Sequence, residues 1–171
     1  ATGMKFFIAV TDNQWYGFLA EHQPDEVNFW RPGGGTFRAI DEGGLFLFKL
    51  HSPLNYIVGG GFFVRYTVLP LTLAWEAFGE KNGASSFTTF YGQIAKYREP
   101  RGGMELNPDI GCIILTQPFF FQRDYWIRIP KDWSPNIVQG KTYDTEEPIG
   151  AAVYAQVEER LQSYKWPFEY K

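Results

Sequence analysis

Tyr56-Ile57-Val58-Gly59-Gly60-Gly61-Phe62-Phe63-Val64-Arg65-Tyr66-Thr67-Val68-Leu69 is the stretch that decides the fold. Its β-branched and aromatic residues favour an extended chain. Three glycines interrupt it, and glycines inside a strand mark a bulge or a sharp barrel bend. Upstream, Leu45–Leu50, Val27–Trp30 and Phe6–Val10 are shorter apolar runs that read as strands. Between the first two of the chain, Thr11 or Asp12 caps a helix that carries Trp15, Phe18 and Leu19 on one face.

Downstream, Pro70–Phe78 reads as a short helix opened by Thr72 and ending near Gly79. Ser86 caps a longer helix, with Phe87, Phe90, Tyr91, Ile94 and Tyr97 at spacings of three and four. Glu99–Asp109 is rich in Pro, Gly and charge and reads as a mobile loop. Ile110–Phe121 is strand, and Tyr125–Ile129 alternates like a strand edge. Asp132–Pro148 is irregular, and Gly150–Tyr164 is a last helix with Val153, Val157 and Leu161 aligned. Short strands bent by glycines, with helices between them, predict an α+β fold: a small mixed β-barrel with helices packed around it. The open end of such a barrel is a natural place for a pocket.

The chain has 171 residues and a formal net charge of -3, which suits one domain and argues against a general coat for polyanions. Ala1-Thr2-Gly3 precedes Met4 and reads as a cloning remnant, leaving residues 4–171 as a single domain. Aromatic residues stand out at 19%; some of that excess is core, and aromatic faces also wall pockets for flat ligands. Cys112, the single cysteine, lies in an apolar run and reads as a buried hydrophobe, in keeping with a reducing cytoplasm. No apolar stretch is long enough to span a membrane.

Several chemistries lack their residues. Two histidines, His22 and His51, and one cysteine do not make a zinc site, and nothing asks for a cofactor. Gly140-Lys141-Thr142 resembles the end of a phosphate loop, but Pro135 stands where the leading glycine belongs. Gly33-Gly34-Gly35 reads as a turn. No nucleophile elbow is present, and no catalytic residue is assigned.

Three stretches carry binding chemistry. In Asn28-Phe29-Trp30-Arg31-Pro32, Trp30 ends a strand and either faces a cavity or fills the core. In Phe46–Gly61, Phe46 and Phe48 share one strand face. Lys49, His51, Ser52 and Asn55 gather at a turn that either meets phosphate or is an ordinary hairpin. In Trp133–Asp144, Tyr143 offers a stacking face, Asp144 an acceptor for an exocyclic amino group and Lys141 a phosphate contact. The alternative there is a packed loop with Asp144 capping a turn. Lys96, Arg98, Arg101, Arg123, Arg128 and Lys131 form either a positive strip or a solvated surface.

Met4–Asp12, Val27–Trp30, Phe46–Leu50, Trp75–Gly79 and Asn136–Asp144 together resemble the N-terminal region of bacterial HNH restriction endonucleases. The resemblance covers nearly the whole chain and implies an EVE-like domain of the PUA superfamily. It implies a bacterial, cytoplasmic protein that binds double-stranded DNA and flips 5-methylcytosine or 5-hydroxymethylcytosine into an aromatic cage. It also implies a partner, a cleaving HNH domain that follows at the C-terminus; this chain is then a reader and not an enzyme. The expected base-binding residues are Trp30, Phe48, Trp75, Tyr143 and Asp144. The expected phosphate-binding residues are Arg31, Lys49, His51, Ser52, Asn55 and Lys141. Two other readings stay open. One is a phosphorothioate-DNA reader built on Gln117-Pro118-Phe119-Phe120-Phe121; the other is an RNA-binding accessory domain.

Overall fold

The computed structural model describes residues 3–98 and 105–168. Ala1 and Thr2 of the expected remnant, Arg101 and most of the Glu99–Asp109 loop lie outside them. In chain order the elements are β1 (Lys5–Thr11), α1 (Asn13–His22), β2 (Glu26–Arg31), β3 (Leu45–Leu50), β4 (Tyr56–Pro70), α2 (Leu71–Phe78), α3 (Phe87–Arg98), β5 (Asp109–Phe120), β6 (Ile127–Arg128), β7 (Gly140–Asp144) and α4 (Pro148–Ser163). Among the described residues the strands make one seven-stranded sheet in the order β2-β5-β4-β3-β1-β7, with the short β6 paired to β4. β1 and β3 run parallel, and every other pairing is antiparallel.

Both faces of this sheet are buried, which is why its strands read as continuous apolar runs rather than strict alternation. Phe7 and Ala9 of β1 join Phe46, Phe48 and Leu50 of β3 in the larger core, under α1, α2 and α3. Phe6 and Ile8 join Leu45 and Leu47 in a smaller core on the other face, closed by Val153 and Val157 of α4. The sheet curls: the Phe29 ring of edge strand β2 meets Phe46 of β3 at 4.8 Å between centroids. The result is a partly open barrel whose free edges are β2 and β7, leaving a seam there beside the end of β1.

The glycine run does what its composition predicts. A Cβ at Gly59 would overlap the Phe119 carbonyl oxygen, and one at Gly60 the Phe46 carbonyl oxygen. β4 is therefore pressed between β3 and β5 where only backbone fits, and its register with β5 shifts on either side of Phe62. This close approach lets the sheet bend.

Asp12 caps α1, its carboxylate accepting from the backbone N–H of Gln14 and Trp15 at 2.8 and 3.0 Å. Ser86 accepts from the Thr89 N–H at 3.2 Å to open α3. α2 differs from expectation: Pro70 precedes its first residue and the Thr72 N–H bonds the Asn107 side chain at 3.0 Å. Proline suits a helix entrance because it has no N–H to leave unpaired. The Asp132–Pro148 segment is not irregular throughout, since it holds β7, an edge strand paired to β1 from Lys5↔Asp144 to Ala9↔Gly140. Of the expected Tyr125–Ile129 strand only Ile127–Arg128 pairs, after a single 3₁₀ turn at Arg123–Tyr125. No described helix is long and apolar enough to cross a membrane.

Candidate functional site

The seam beside the end of β1 opens into a cleft of about 660 Å³. Volumes of roughly 300–1,000 Å³ are usual for small-molecule sites. Five segments distant in sequence build it: the β1–α1 junction, the end of β2 with its glycine loop, the turn at His51, the C-terminus of α3, and the loop before β7. Its walls are aromatic: Phe7 from β1, Trp15 from α1, Phe29 and Trp30 from β2, and Tyr97 from α3.

Trp30 is held rather than loose. It is 8% exposed, its indole N–H donates to the Asn82 carbonyl at 2.9 Å, and Phe90 and Tyr97 pack edgewise on it at 6.1 Å. Asn82 is itself fixed, its amide donating to Ala74 and Gly79 carbonyls at 3.1 and 2.9 Å and its side-chain oxygen accepting from Asn28 at 2.8 Å. Both readings of Trp30 therefore hold together, since a ring packed in the core lends its remaining surface to the cleft.

The polar centre of the cleft is Asp12. Beyond the helix cap, its second carboxylate oxygen accepts from the Tyr97 hydroxyl and lies 3.6 Å from the Lys96 ammonium. Burial alone would push this carboxyl up. The Tyr97 hydroxyl, the Trp15 N–H, the Lys96 charge and the Gln14 N–H outweigh it and hold the pKa below its ordinary value. Asp12 is thus an anion at neutral pH. Burial and the neighbouring Asp12 charge push the Tyr97 hydroxyl up, so it stays a donor.

Cations stand at the rim. Arg31 donates to the Thr36 carbonyl at 3.2 Å and lies over the Phe37 ring at 5.0 Å, with burial lowering its pKa somewhat from the ordinary arginine value. Arg98 donates to the Pro32 and Asp109 carbonyls at 2.7 and 3.1 Å, tying α3 to the glycine loop. That loop is clamped further by the Gly111 N–H on Gly33 at 3.1 Å and by the Tyr66 hydroxyl on the Gly35 carbonyl. The turn expected at Gly33–Gly35 is therefore one lip of the cleft. His51 lines the cleft from the opposite side, its backbone N–H bound by the Asn13 side chain at 3.1 Å.

Of the expected site residues, the cleft gathers Trp30, Arg31 and His51. Phe48 is 0% exposed among Trp15, Tyr16 and Phe120, and so has no surface to offer a base. Trp75 packs on Phe87 and Phe90 behind α3. Tyr143 is 6% exposed, stacks on Phe6 and donates to Asp132 at 2.9 Å. Asp144 accepts the Glu146 N–H at 2.9 Å, the turn-capping role named as its alternative. Lys141 is taken by Asp132 at 2.7 Å. Lys49 is buried with its ammonium 5.7 Å from the Trp133 ring centre, and burial pushes its pKa down, so it is not displayed to phosphate. Ser52 and Asn55 are exposed beside the turn but do not line the cleft.

Of the basic strip, Lys96 and Arg98 come to the cleft region, while Arg123 lies over the Trp126 ring at 4.9 Å. Pro118, Phe119, Phe120 and Phe121 are buried, so the stretch proposed to receive a phosphorothioate sulfur presents no surface pit. Asp12, Phe29, Tyr97 and Gln139 were not expected at the site. Asp12 did carry a signal, as a charged cap at the exact junction of a buried strand and a helix.

No family model matches this chain, and no curated protein matches it. The solved structures similar in fold include three of one protein. ASCH from Zymomonas mobilis is 9% identical, with a TM-score of 0.52 over 94% of this chain and 96% of that one. A tyrosine-to-phenylalanine mutant of the same protein gives 0.56 at 9% identity, over 89% of this chain and 97% of that one. A serine-to-alanine mutant gives 0.55 at 7% identity, over 92% and 99%. At such identity the likeness speaks for architecture alone: the chain shares the mixed α+β barrel architecture of these ASCH structures.

Proposed function

We propose that this chain is a nucleic-acid-reading domain that accepts one extruded base, a modified cytosine, in the cleft between β1 and β2. The observation that carries the reading is the pairing of a ring-walled cleft with a carboxylate held as an anion inside it. An anionic acceptor suits an exocyclic amino group, the feature that separates cytosine from thymine along that edge. Arg31, Arg98 and His51 at the rim suit the flanking phosphates. The overall charge of -3 then confines affinity to this local patch.

The energies are compatible. Extruding a base costs a few kcal/mol, and aromatic stacking returns roughly 1–3 kcal/mol per base. A hydrogen bond to a charged acceptor adds about 1.5–3 kcal/mol. A 5-methyl group buried against rings adds on the order of 1 kcal/mol. Discrimination between modified and plain cytosine is then modest, about fivefold. The resemblance to HNH restriction endonucleases supports 5-methylcytosine or 5-hydroxymethylcytosine in double-stranded DNA as the ligand. It also supports a role as the specificity part of a modification-dependent nuclease.

Fluorescence anisotropy at fixed salt tests this with 5-methylcytosine, 5-hydroxymethylcytosine and plain duplexes of one sequence. Tighter binding to a modified duplex is expected, and Trp30→Ala should abolish the preference. Equal affinity for all duplexes overturns the modified-base reading. Full competition by single-stranded RNA moves the assignment to an RNA-binding domain.

A further inference from the structure

Gly33, Gly34 and Gly35 stand at one lip of the cleft, and the fold does not ask for glycine at any of them. None of the three has φ in the left-handed region, so each position is open to alanine. A Cβ would meet nothing within 4 Å at Gly33 or Gly35. At Gly34 it would meet only the Val68 side chain at 3.6 Å, an ordinary contact. Gly59 and Gly60 are the opposite case, since a Cβ there overlaps a neighbouring carbonyl. Three glycines with no internal cause lower stability through the freedom of the unfolded chain. The remaining use of glycine is to let backbone come close to something outside the chain.

The lip is also held in one orientation. The Pro32 carbonyl accepts from Arg98 at 2.7 Å, the Gly33 carbonyl from the Gly111 N–H at 3.1 Å and the Gly35 carbonyl from the Tyr66 hydroxyl. These peptides are trans, so each clamped carbonyl turns the following N–H the opposite way. The N–H groups of Gly33, Gly34 and Thr36 therefore face away from their clamps, and none of them meets an acceptor among the described residues. Gly33, Gly35 and Thr36 line the cleft, and so do two arginines beside them. Arg31 donates to the Thr36 carbonyl at 3.2 Å, and Arg98 holds Pro32. Each keeps further donors, since a guanidinium carries five. Backbone N–H groups fixed in a row beside guanidinium groups suit the oxygens of a phosphate.

We propose that this lip seats one phosphate group, bound by the N–H groups of Gly33, Gly34 and Thr36 with Arg31 and Arg98 supplying the charge. The choice of ligand rests on the nucleic-acid reading above, in which the group is a phosphodiester beside the base in the cleft. A free nucleotide offers the same chemistry as a terminal phosphate. A Cβ on the lip crowds the approach of either while leaving the protein's own contacts untouched.

The test combines Gly33→Ala, Gly34→Ala and Gly35→Ala in the full chain and compares this variant with wild type. Its urea midpoint should hold or rise, because alanine fits each position and restricts the unfolded chain. Its binding to a 5-methylcytosine duplex, read by anisotropy at fixed salt, should weaken by about tenfold, the loss of one charge-assisted hydrogen bond. A set of duplexes, each with a single uncharged methylphosphonate linkage near the modified base, locates the seat. Wild type should lose about tenfold at one linkage, and the variant should no longer sense it. Displacement by cytidine 5′-monophosphate but not by cytidine, with no sensitive linkage in the duplex, would assign the seat to a terminal phosphate. Unchanged binding by the variant overturns the seat and leaves the base reading standing. A lowered urea midpoint also overturns it, since the glycines would then serve the fold. If wild type binds neither the duplex nor the monophosphate, the base-reading proposal fails and the seat fails with it.

Discussion

The same three-residue arrangement occurs twice in this molecule, with different consequences. At the seam, Tyr97 donates to Asp12 and Lys96 stands beside the carboxylate. At β7, Tyr143 donates to Asp132 and Lys141 stands beside that carboxylate. Both tyrosines are pushed up by burial and by their carboxylates, and both carboxylates sit below their ordinary range. The β7 set faces no cleft: Lys141 bonds Asp132 at 2.7 Å with both side chains about a third exposed at the surface, and the Tyr143 ring lies against Phe6. The seam set is open: Lys96 stands off at 3.6 Å, and Asp12 and Tyr97 both face the cleft. Chemistry alone therefore does not define a site. The backbone must also leave a gap at it.

The contrast is broken most directly by removing its largest surface. Trp30→Ala should weaken binding to a modified duplex by about ten- to a hundredfold, the equivalent of one lost stacking partner. It should also cost about 3 kcal/mol of stability in urea titration, because the ring is packed on Phe90 and Tyr97. Tyr143→Phe in the β7 set should leave binding within about twofold and cost about 1 kcal/mol. Equal binding losses from the two variants would erase the distinction.

Asp12→Asn is a finer instrument, since asparagine caps a helix as well as aspartate does. Loss of the anionic acceptor should weaken the modified-cytosine complex by about tenfold, and the preference for cytosine over thymine at the target should fall. Asp132→Asn should change neither, and anisotropy on paired cytosine and thymine duplexes reads both.

A titration tests what the two sets share. Both aspartates have folded pKa values below their unfolded values, so each contributes stability that is present above about pH 4 and lost as pH falls through the folded value. The tyrosines are shifted the other way. Each contributes stability that is full below about pH 10 and lost as pH rises through the folded value. Urea midpoints of Tyr97→Phe and Tyr143→Phe, measured from neutral pH to about pH 11, should each show a shallower alkaline decline than wild type. An unchanged slope in both variants would contradict the raised tyrosine values. The smallest effect belongs to Lys141→Ala, which should cost less than about 1 kcal/mol as an exposed ion pair and leave binding untouched.

The fold was largely legible because burial on both faces writes itself into sequence as long apolar runs. The β1–β5 strands, the Asp12 and Ser86 caps and the bend at Gly59–Gly61 follow from local rules. β7 did not, because Gly-Lys-Thr-Tyr-Asp is a short edge strand that buries only Tyr143 and reads as loop. The site was legible only in part. Trp30, Arg31 and His51 stand at strand ends that the sequence marks. Asp12 showed only its capping role, and Tyr97 only its place on a helix face. The cleft joins segments more than a hundred residues apart, and nothing local to Tyr97 or Gln139 records that juxtaposition. Tyr143 and Asp144 misled because a stacking ring and an acceptor adjacent in sequence look alike whether sealed or open.

The strand that opens the chain is also the strand that must wait longest. β1 pairs with β3 on one side and with β7, up to Asp144, on the other. Pairings so distant along the chain carry a high entropic cost and form late. During synthesis the first strand therefore stays half-matched until its last neighbour leaves the ribosome. A cleft that draws on Val10 and Asp12 at one end and on Val138 and Gln139 at the other is completed at the same moment. Binding competence and the final closure of the sheet thus arrive together, and nascent chains cut short of β7 would have neither.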